Sequence, residues 1–337
     1  MHEKVKEIIK SPAAFTALTD LAAEKLGGKV QYCTDDFFAE KENLIKAGRG
    51  IFIIDKYTER GKWMDGWESR RKRTPGHDWA VIQLAAPGRI KGFDIDTNFF
   101  LGNHPPHASI EAINITDSSS VTDWDNLPWK EILHKSQLDA GSQNFYESYN
   151  NEIFTHLRLH IYPDGGVARL RVYGEVYKDW TAVPANETID LASALNGAKS
   201  IACNDMFFSD MSNLLMPNRG ANMGDGWETK RNRTSGNRDW VVIELATKGV
   251  IDNALVDTCH FKGNYPDSFS LEGCLCDHHE DALNGKAPWS TILGQQKLSA
   301  DAEHEFRIDN KNTFSHVRLN IFPDGGISRL RLWGKKA

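Results

Sequence analysis

The segment HLRLHIYPDGGVARLRVYG, His156–Gly174, recurs 160 residues later as HVRLNIFPDGGISRLRLWG, His316–Gly334. In both copies, apolar and polar residues alternate on either side of a Pro-Asp-Gly-Gly sequence. Alternation with a period of two is typical of a half-buried strand, and Pro-Asp-Gly sequences favour turns. The segment therefore predicts two antiparallel strands joined by a turn, and it predicts them twice.

A second repeated segment shows how far the duplication extends. DGWESRRKRT, Asp65–Thr74, recurs as DGWETKRNRT, Asp225–Thr234, again 160 residues later. Upstream, Phe37-Phe38 matches Phe207-Phe208 at an offset of 170, so the first copy carries ten additional residues between Gly50 and Asp65. Solenoid repeats have periods of about 20 to 50 residues, far shorter than this one. Each copy is therefore predicted to be a complete domain, residues 1–178 and 179–337, with a loop at the insertion.

Further alternating segments indicate that both domains are mainly β-structure. A short helix is predicted at the start of each copy, with Asp20 and Asp190 as N-caps and Gly27 and Gly197 at the C-terminal ends. Short strands joined by turns favour an all-β antiparallel sandwich or jelly roll. The predicted strands of the first copy include Trp79–Leu84, Ser109–Ile115, Thr155–Ile161 and Ala168–Tyr173, and the last two are those that flank the Pro-Asp-Gly-Gly turn.

Charge and composition exclude several classes of protein. A net charge of −6 argues against a general binder of nucleic acid or anionic membranes, although Arg70–Arg73 is a local basic run. The sequence has no stretch of about 18 apolar residues, as a membrane span requires, and Met1–Lys10 has no apolar secretory core. We therefore expect a cytoplasmic protein with no nucleic-acid or membrane partner.

The cysteines predict neither disulfides nor a metal centre. There are five, an odd number, and none forms a CxxC pair. Cys274 and Cys276 align with Ile113 and Ile115, so they are predicted to be small buried residues on one face of a strand. Reduced thiols fit a cytoplasmic location.

Several motifs, taken in order, resemble the allantoicase family over nearly the whole chain. They are DGWESRRKRT, FFLGNHPP at Phe99–Pro106, and the YPDGG turn followed by ARLRVYG. The resemblance implies two tandem jelly-roll β-sandwich domains of the galactose-binding-like type. It also implies hydrolysis of allantoate to ureidoglycolate and urea in purine degradation, and assembly into a homo-oligomer.

The chemistry of that reaction indicates which residue types the site needs. Allantoate carries a carboxylate and two ureido groups on one sp³ carbon. Urea release therefore calls for an acid to protonate the departing nitrogen, a base to activate water, and an Arg to hold the carboxylate. The catalytic candidates are Glu68, His104, Glu111 and His156. The candidates for substrate binding are Arg71, Arg73 and Asn103 in the first copy, with Glu228, Arg231, Arg233 and Asn264 in the second.

Differences between the copies help to rank these candidates. His104 is replaced by Tyr265 and His77 by Asn237, whereas Glu68 and Glu111 have identical counterparts. His104 is therefore a feature of the first copy that strand geometry does not require, and it is the preferred acid or base. No HExxH, EF-hand or other close ligand spacing indicates a metal, so a divalent cofactor stays open.

Other interpretations remain at this point. Glu68 and Arg71 also fit an ion pair within the loop that has no function in catalysis. His156 also fits a purely structural role. The whole chain would also fit a non-catalytic tandem module that binds sugars or small anions at its end loops. In a third interpretation, the second copy is the catalyst and the first an assembly surface.

Overall fold

The computed structural model describes residues 10–337, so most of the charged segment Met1–Lys10 lies outside the described residues. The described chain divides into two compact domains, and the boundary lies between Tyr177 and Lys178. Within the described residues, no helix combines the length and the apolar character that crossing a membrane requires.

The first domain is built from short strands with 3₁₀ helices at Ala14–Ala17, Glu24–Leu26 and Lys41–Ile45. Its strands are β1 (Thr19–Asp20), β2 (Lys29–Cys33), β3 (Tyr57–Thr58), β4 (Gly61–Lys62), β5 (Trp67–Glu68), β6 (Asp78–Asp96), β7 (His107–Ile113), β8 (Lys130–Gln137), β9 (Phe145–Glu147), β10 (Phe154–Tyr162), β11 (Gly166–Val167) and β12 (Arg169–Val176).

Strand β6 connects the two layers of the first domain. The strand order is β1-β12-β6-β10-β7-β8, with β2 and β9 also paired to β6. The first part of β6 pairs with β2 and β10, where Ala80 lies opposite Leu159. Its later part pairs with β12 and β9, where Phe93 lies opposite Val172. These four side chains are fully buried in one apolar cluster, so the core lies between the two layers of a sandwich.

The second domain repeats this architecture and adds a short helix, α1 (His279–Leu283). Its 3₁₀ helices are Ala194–Asn196, Met211–Leu215 and Met223–Asp225. Its strands are β13 (Ile189–Asp190), β14 (Lys199–Cys203), β15 (Trp227–Glu228), β16 (Asp239–Asp257), β17 (Ser268–Cys274), β18 (Ser290–Lys297), β19 (Glu303–Arg307), β20 (Phe314–Phe322), β21 (Gly326–Ile327) and β22 (Arg329–Lys336).

The two domains agree strand for strand. The order β13-β22-β16-β20-β17-β18, with β14 and β19 on β16, reproduces that of the first domain. Only β3 and β4 have no counterpart among the described strands, and they form a small hairpin inside the ten-residue insertion. The predictions of an all-β sandwich in tandem and of a loop at the insertion are confirmed.

Aspartates 20 and 190 have a different role from the predicted one. Both lie in strands, β1 and β13, ahead of the helices that they were expected to cap. The Asp20 carboxylate instead accepts hydrogen bonds from Ala22 N at 3.2 Å and Val172 N at 3.0 Å, and so links β1 to β12. The predicted C-terminal glycines are confirmed, because Gly27 and Gly197 adopt left-handed φ values of 117° and 104°.

Candidate active site

Three motifs that are far apart in sequence meet at one end of the first domain. Strand β5 pairs with β11, which places Glu68 opposite Gly166. Gly166 N donates to Asn103 O at 2.8 Å, and Lys72 N donates to Asp164 Oδ2 at 2.8 Å. The DGWESRRKRT loop, the FFLGNHPP segment and the Pro-Asp-Gly-Gly turn therefore form one connected cluster, the β5 end.

The two glycines of the turn allow these loops to approach closely. Gly165 has φ +136°, and a Cβ there would lie 2.6 Å from Asn103 O. A Cβ on Gly166 would lie 1.9 Å from the Phe100 ring. Side chains at either position would push the FFLGNHPP segment away from β5.

Glu68 and Asn103 are in direct contact at this end. Asn103 Nδ2 donates to Glu68 Oε1 at 2.7 Å. Burial raises the pKa of Glu68 above its ordinary value, and the hydrogen bond from Asn103 only partly opposes that shift. The carboxyl group therefore keeps a proton to a higher pH than an exposed glutamate does. In the second domain, Asn264 Nδ2 donates to Glu228 Oε1 in the same way.

In the basic run beside Glu68, cations that pair with a described carboxylate alternate with cations that do not. Arg70 Nε donates to Asp35 Oδ2 at 2.7 Å, and Lys72 Nζ donates to Asp78 Oδ1 at 2.6 Å. Arg71 and Arg73 are exposed, and no carboxylate within residues 10–337 forms an ion pair with either. Glu68 and Arg71 thus do not form the loop ion pair that the sequence left open.

The second domain repeats this pattern. Lys230 Nζ lies 3.5 Å from Asp205 Oδ2, whereas Arg231 and Arg233 are exposed and have no such partner in the described part of the chain. Each β5 end, which lies at β5 in the first domain and at the equivalent strand β15 in the second, therefore offers two guanidinium groups to an anion.

His104 belongs to the same end through its backbone. A Cβ on Gly165 would lie 3.0 Å from the carbonyl carbon of His104, and one on Gly325 would lie 3.0 Å from that of Tyr265. The His104 side chain is half-buried, and its Nδ1 has no hydrogen-bond partner among the described residues. No described hydrogen bond joins it to Glu68.

Residues of the insertion in the first domain line two clefts near the β5 end. One cleft of about 420 Å³ is lined by Arg60 of the hairpin together with Ala39 and Asp65. Another of about 310 Å³ is lined by Lys62 and Asn103. These volumes suit a small-molecule ligand.

Glu111 and His156 belong to a different part of the first domain. His156, Arg158 and His160 alternate along β10 and share one face of the sheet. Arg158 Nε and His160 Nε2 each lie 2.8 Å from Glu111 Oε2. His160 Nδ1 lies 2.8 Å from His77 Nε2, which extends the chain of polar contacts. The described contacts do not connect this network to Glu68.

Tryptophan side chains cover the network. The Trp124 ring centroid lies 5.8 Å from that of His156, and Arg158 lies over the rings of Trp79 and Trp129. Burial lowers the pKa of His156 to about 4, so the imidazole is neutral at pH 7. Because His156 is only 2% exposed, the structure favours a structural role for it.

The sequence did not predict that His77 and His160 contact each other. A signal existed, since the second domain has Asn237 and Asn320 at the matching positions. Asn320 Nδ2 donates to Glu272 Oε2 at 2.9 Å, which replaces the imidazole contact. The Glu–Arg contact is common to both domains, and the histidines are specific to the first.

Within residues 10–337, two groups of side chains are close enough to hold a metal ion. They are Cys274, Cys276 and His316, and Cys259, His260 and Asp301. Neither group includes a residue of the β5 end. At that end, within the described part of the chain, no three ligand atoms of His, Cys, Asp or Glu lie close enough together to hold an ion.

Comparisons with known proteins agree with the motifs. A family model described as "Allantoicase repeat" matches residues 19–177 and again residues 189–337. A "Probable allantoicase" of Pseudomonas syringae pv. syringae is 50% identical over 329 residues, covering 96% of this chain and 98% of that protein. One of Photobacterium profundum is 47% identical over 327 residues, covering 96% and 98%. The crystal structure of allantoicase from Saccharomyces cerevisiae matches with a TM-score of 0.81 and 39% identity, covering 94% of this chain and 92% of that one.

Proposed function

The chain belongs to the allantoicase family, and on that premise we propose that it is an allantoate amidinohydrolase that forms ureidoglycolate and urea during purine degradation. One observation carries the choice of site: the three motifs that define the resemblance converge on the β5 end in both domains. The paired Glu68 and Asn103, with exposed guanidinium groups beside them, supply the residue types that the reaction needs.

Glu68 is the proposed general acid. Asn103 occupies Oε1, which leaves Oε2 to carry the proton. Transfer of that proton to the departing ureido nitrogen lets the carbon–nitrogen bond break, so that urea leaves neutral. Water then supplies the hydroxyl group of ureidoglycolate and gives up one proton, either to the Glu68 carboxylate or to His104. Arg71 and Arg73 hold the substrate carboxylate throughout.

The first test is urea release from allantoate by the purified chain, measured with and without a chelator. Release that is unaffected by the chelator is the expected result. A protein that binds allantoate without forming urea would instead be the non-catalytic binding module.

Arg71→Lys is expected to raise KM for allantoate roughly tenfold and to change kcat little. An ammonium group cannot reproduce the two parallel hydrogen bonds of a guanidinium group to a carboxylate. Steady-state kinetics of urea release measures the effect. Arg70→Lys is the matched control. Arg70 is already paired with Asp35, so this variant should leave KM unchanged. Equal increases in KM for the two variants would contradict the role given to Arg71.

His104→Ala is expected to lower kcat by roughly 10² to 10⁴ if His104 accepts the proton from water. Tyr265→Ala is its partner in the second domain and should have little effect, since a phenol is a far weaker base than an imidazole. Circular dichroism shows whether each variant folds. Normal urea release by a folded His104→Ala protein would remove His104 from the mechanism, and equal losses from both variants would indicate two similar sites.

We propose a cytoplasmic location because the cysteines are free thiols. All five cysteines are free, as is usual where glutathione keeps thiols reduced. Assembly into a homo-oligomer stays a prediction, which sedimentation of the purified chain tests.

A further inference from the structure

Two thiols and an imidazole lie together in the second domain, in a group that the proposed reaction does not use. Cys274 ends β17 and lies opposite His316 of β20. Cys276 follows two residues later, and its Sγ lies 3.3 Å from His316 Nδ1. One ligand atom from each of the three residues lies within 4.8 Å of the other two.

These separations fit a metal site. With Zn–S bonds of about 2.3 Å and Zn–N bonds of about 2.0 Å, a tetrahedral ion separates its ligand atoms by roughly 3.5 to 3.8 Å. The 3.3 Å contact between Cys276 and His316 and the 4.8 Å limit for the whole group bracket those separations. Thiolate and imidazole are also the donors that zinc prefers.

The first domain has the same backbone arrangement at the equivalent positions but no thiols there. Ile113 and Ile115 occupy the two cysteine positions, while His156 occupies that of His316. The backbone setting is the same in both, because Thr155 Oγ1 accepts from Ile115 N at 2.8 Å and Ser315 Oγ accepts from Cys276 N at 2.9 Å. A buried histidine is therefore common to both domains, and the two thiols are specific to the second.

The surroundings suit a ligand that enters from one side. Cys274 packs against Ala282 of α1 and is 2% exposed, whereas Cys276 is half-buried.

We propose that Cys274, Cys276 and His316 bind one Zn²⁺ ion, which joins the end of β17 to β20 beneath α1. The fourth coordination position lies on the solvent side, next to Cys276, and is open to water. Binding releases the thiol protons to solvent and leaves the oxidation state of the metal unchanged. The site stabilises the second domain and takes no part in allantoate hydrolysis.

Cobalt titration of the full chain, kept reduced with a phosphine, tests the proposal. Co²⁺ is the probe because its thiolate complexes absorb in the near ultraviolet. One equivalent is expected to produce that absorption, and Zn²⁺ is expected to abolish it. Zn²⁺ should also raise the midpoint of thermal unfolding, because it binds the folded state. A reduced chain that shows no thiolate absorption with excess Co²⁺ would overturn the proposal.

The decisive variant is Cys274→Ile/Cys276→Ile, which copies the first domain and should therefore fold. It is expected to lose the absorption and the thermal shift while keeping normal urea release. Cys276→Ser is a smaller change at a half-buried position and should show the same loss. It replaces the double variant in this test if that variant does not fold. Cys259→Ala is the matched control, because Cys259 belongs to the other group of potential ligands, and it should bind cobalt like the unchanged chain. Binding that survives the double variant, or that disappears in Cys259→Ala, would contradict the assignment.

Discussion

Glu68→Gln is expected to lower kcat for urea release by roughly 10² to 10⁴. Glutamine keeps the size of the side chain and can still contact Asn103, but its amide is far too weak an acid to protonate the departing nitrogen. The pH profile should change as well. Burial raises the pKa of Glu68, and kcat of the unchanged enzyme should fall as the pH rises through that pKa. The variant should lack this decline.

Two controls sharpen this experiment. Glu24→Gln removes an exposed carboxylate elsewhere in the first domain and should leave kcat unchanged. Glu228→Gln removes the equivalent group of the second domain, and comparison with Glu68→Gln shows how activity is divided between the two β5 ends. Full activity in both glutamine variants, and in their combination, would exclude the carboxyl groups from the reaction.

The duplicated strands were the most predictable part of the fold. Strand β10 was predicted at Thr155–Ile161 and extends over Phe154–Tyr162. The alternation there is regular because one face meets the core and the other meets a polar network. The same alternation recurs in the second copy, which chance does not explain. The repeat therefore predicted the same strand order in both domains.

Strand β6 was predicted only in part. The predicted segment, Trp79–Leu84, ends just before Ala85, Ala86 and Pro87, which read as the end of a strand. The strand in fact continues to Asp96, because it changes partners at this point from β2 and β10 to β12 and β9. A proline is tolerated where the ladder is interrupted, and such an exchange depends on distant strands that local sequence does not reveal.

The candidate site was also only partly predictable. Glycine-rich motifs indicated loops at an end of the sandwich, and Glu68 and Asn103 do meet there. Alternation placed His156 and Arg158 on one face of β10, but it could not show that Trp124 covers that face. Whether a polar strand residue meets solvent or a covering loop depends on how that loop folds back, and residue spacing does not encode this.

Arg329→Met is expected to destabilise the second domain by about 3 to 5 kcal/mol. The guanidinium group is almost fully buried, and its Nη2 lies 3.0 Å from Asp225 Oδ2. It also donates through Nε to Asn218 O at 2.9 Å. Methionine fills much of the space but removes the positive charge that lies beside the buried Asp225 carboxylate, and that costs more than the loss of a surface pair.

Amide hydrogen exchange in β16 and β22 measures this loss, because it reports the free energy of opening of the second domain by itself. Lys248→Met is the matched control, since Lys248 pairs with Asp277 at 2.6 Å while both side chains are at least half exposed. Its expected cost is about 0 to 1 kcal/mol. Adding Asp225→Asn to Arg329→Met should restore part of the stability, because an amide needs no counter-charge. If it restores none, the loss arises from the hydrogen bonds that Arg329 donates to backbone carbonyl groups and not from its charge beside Asp225.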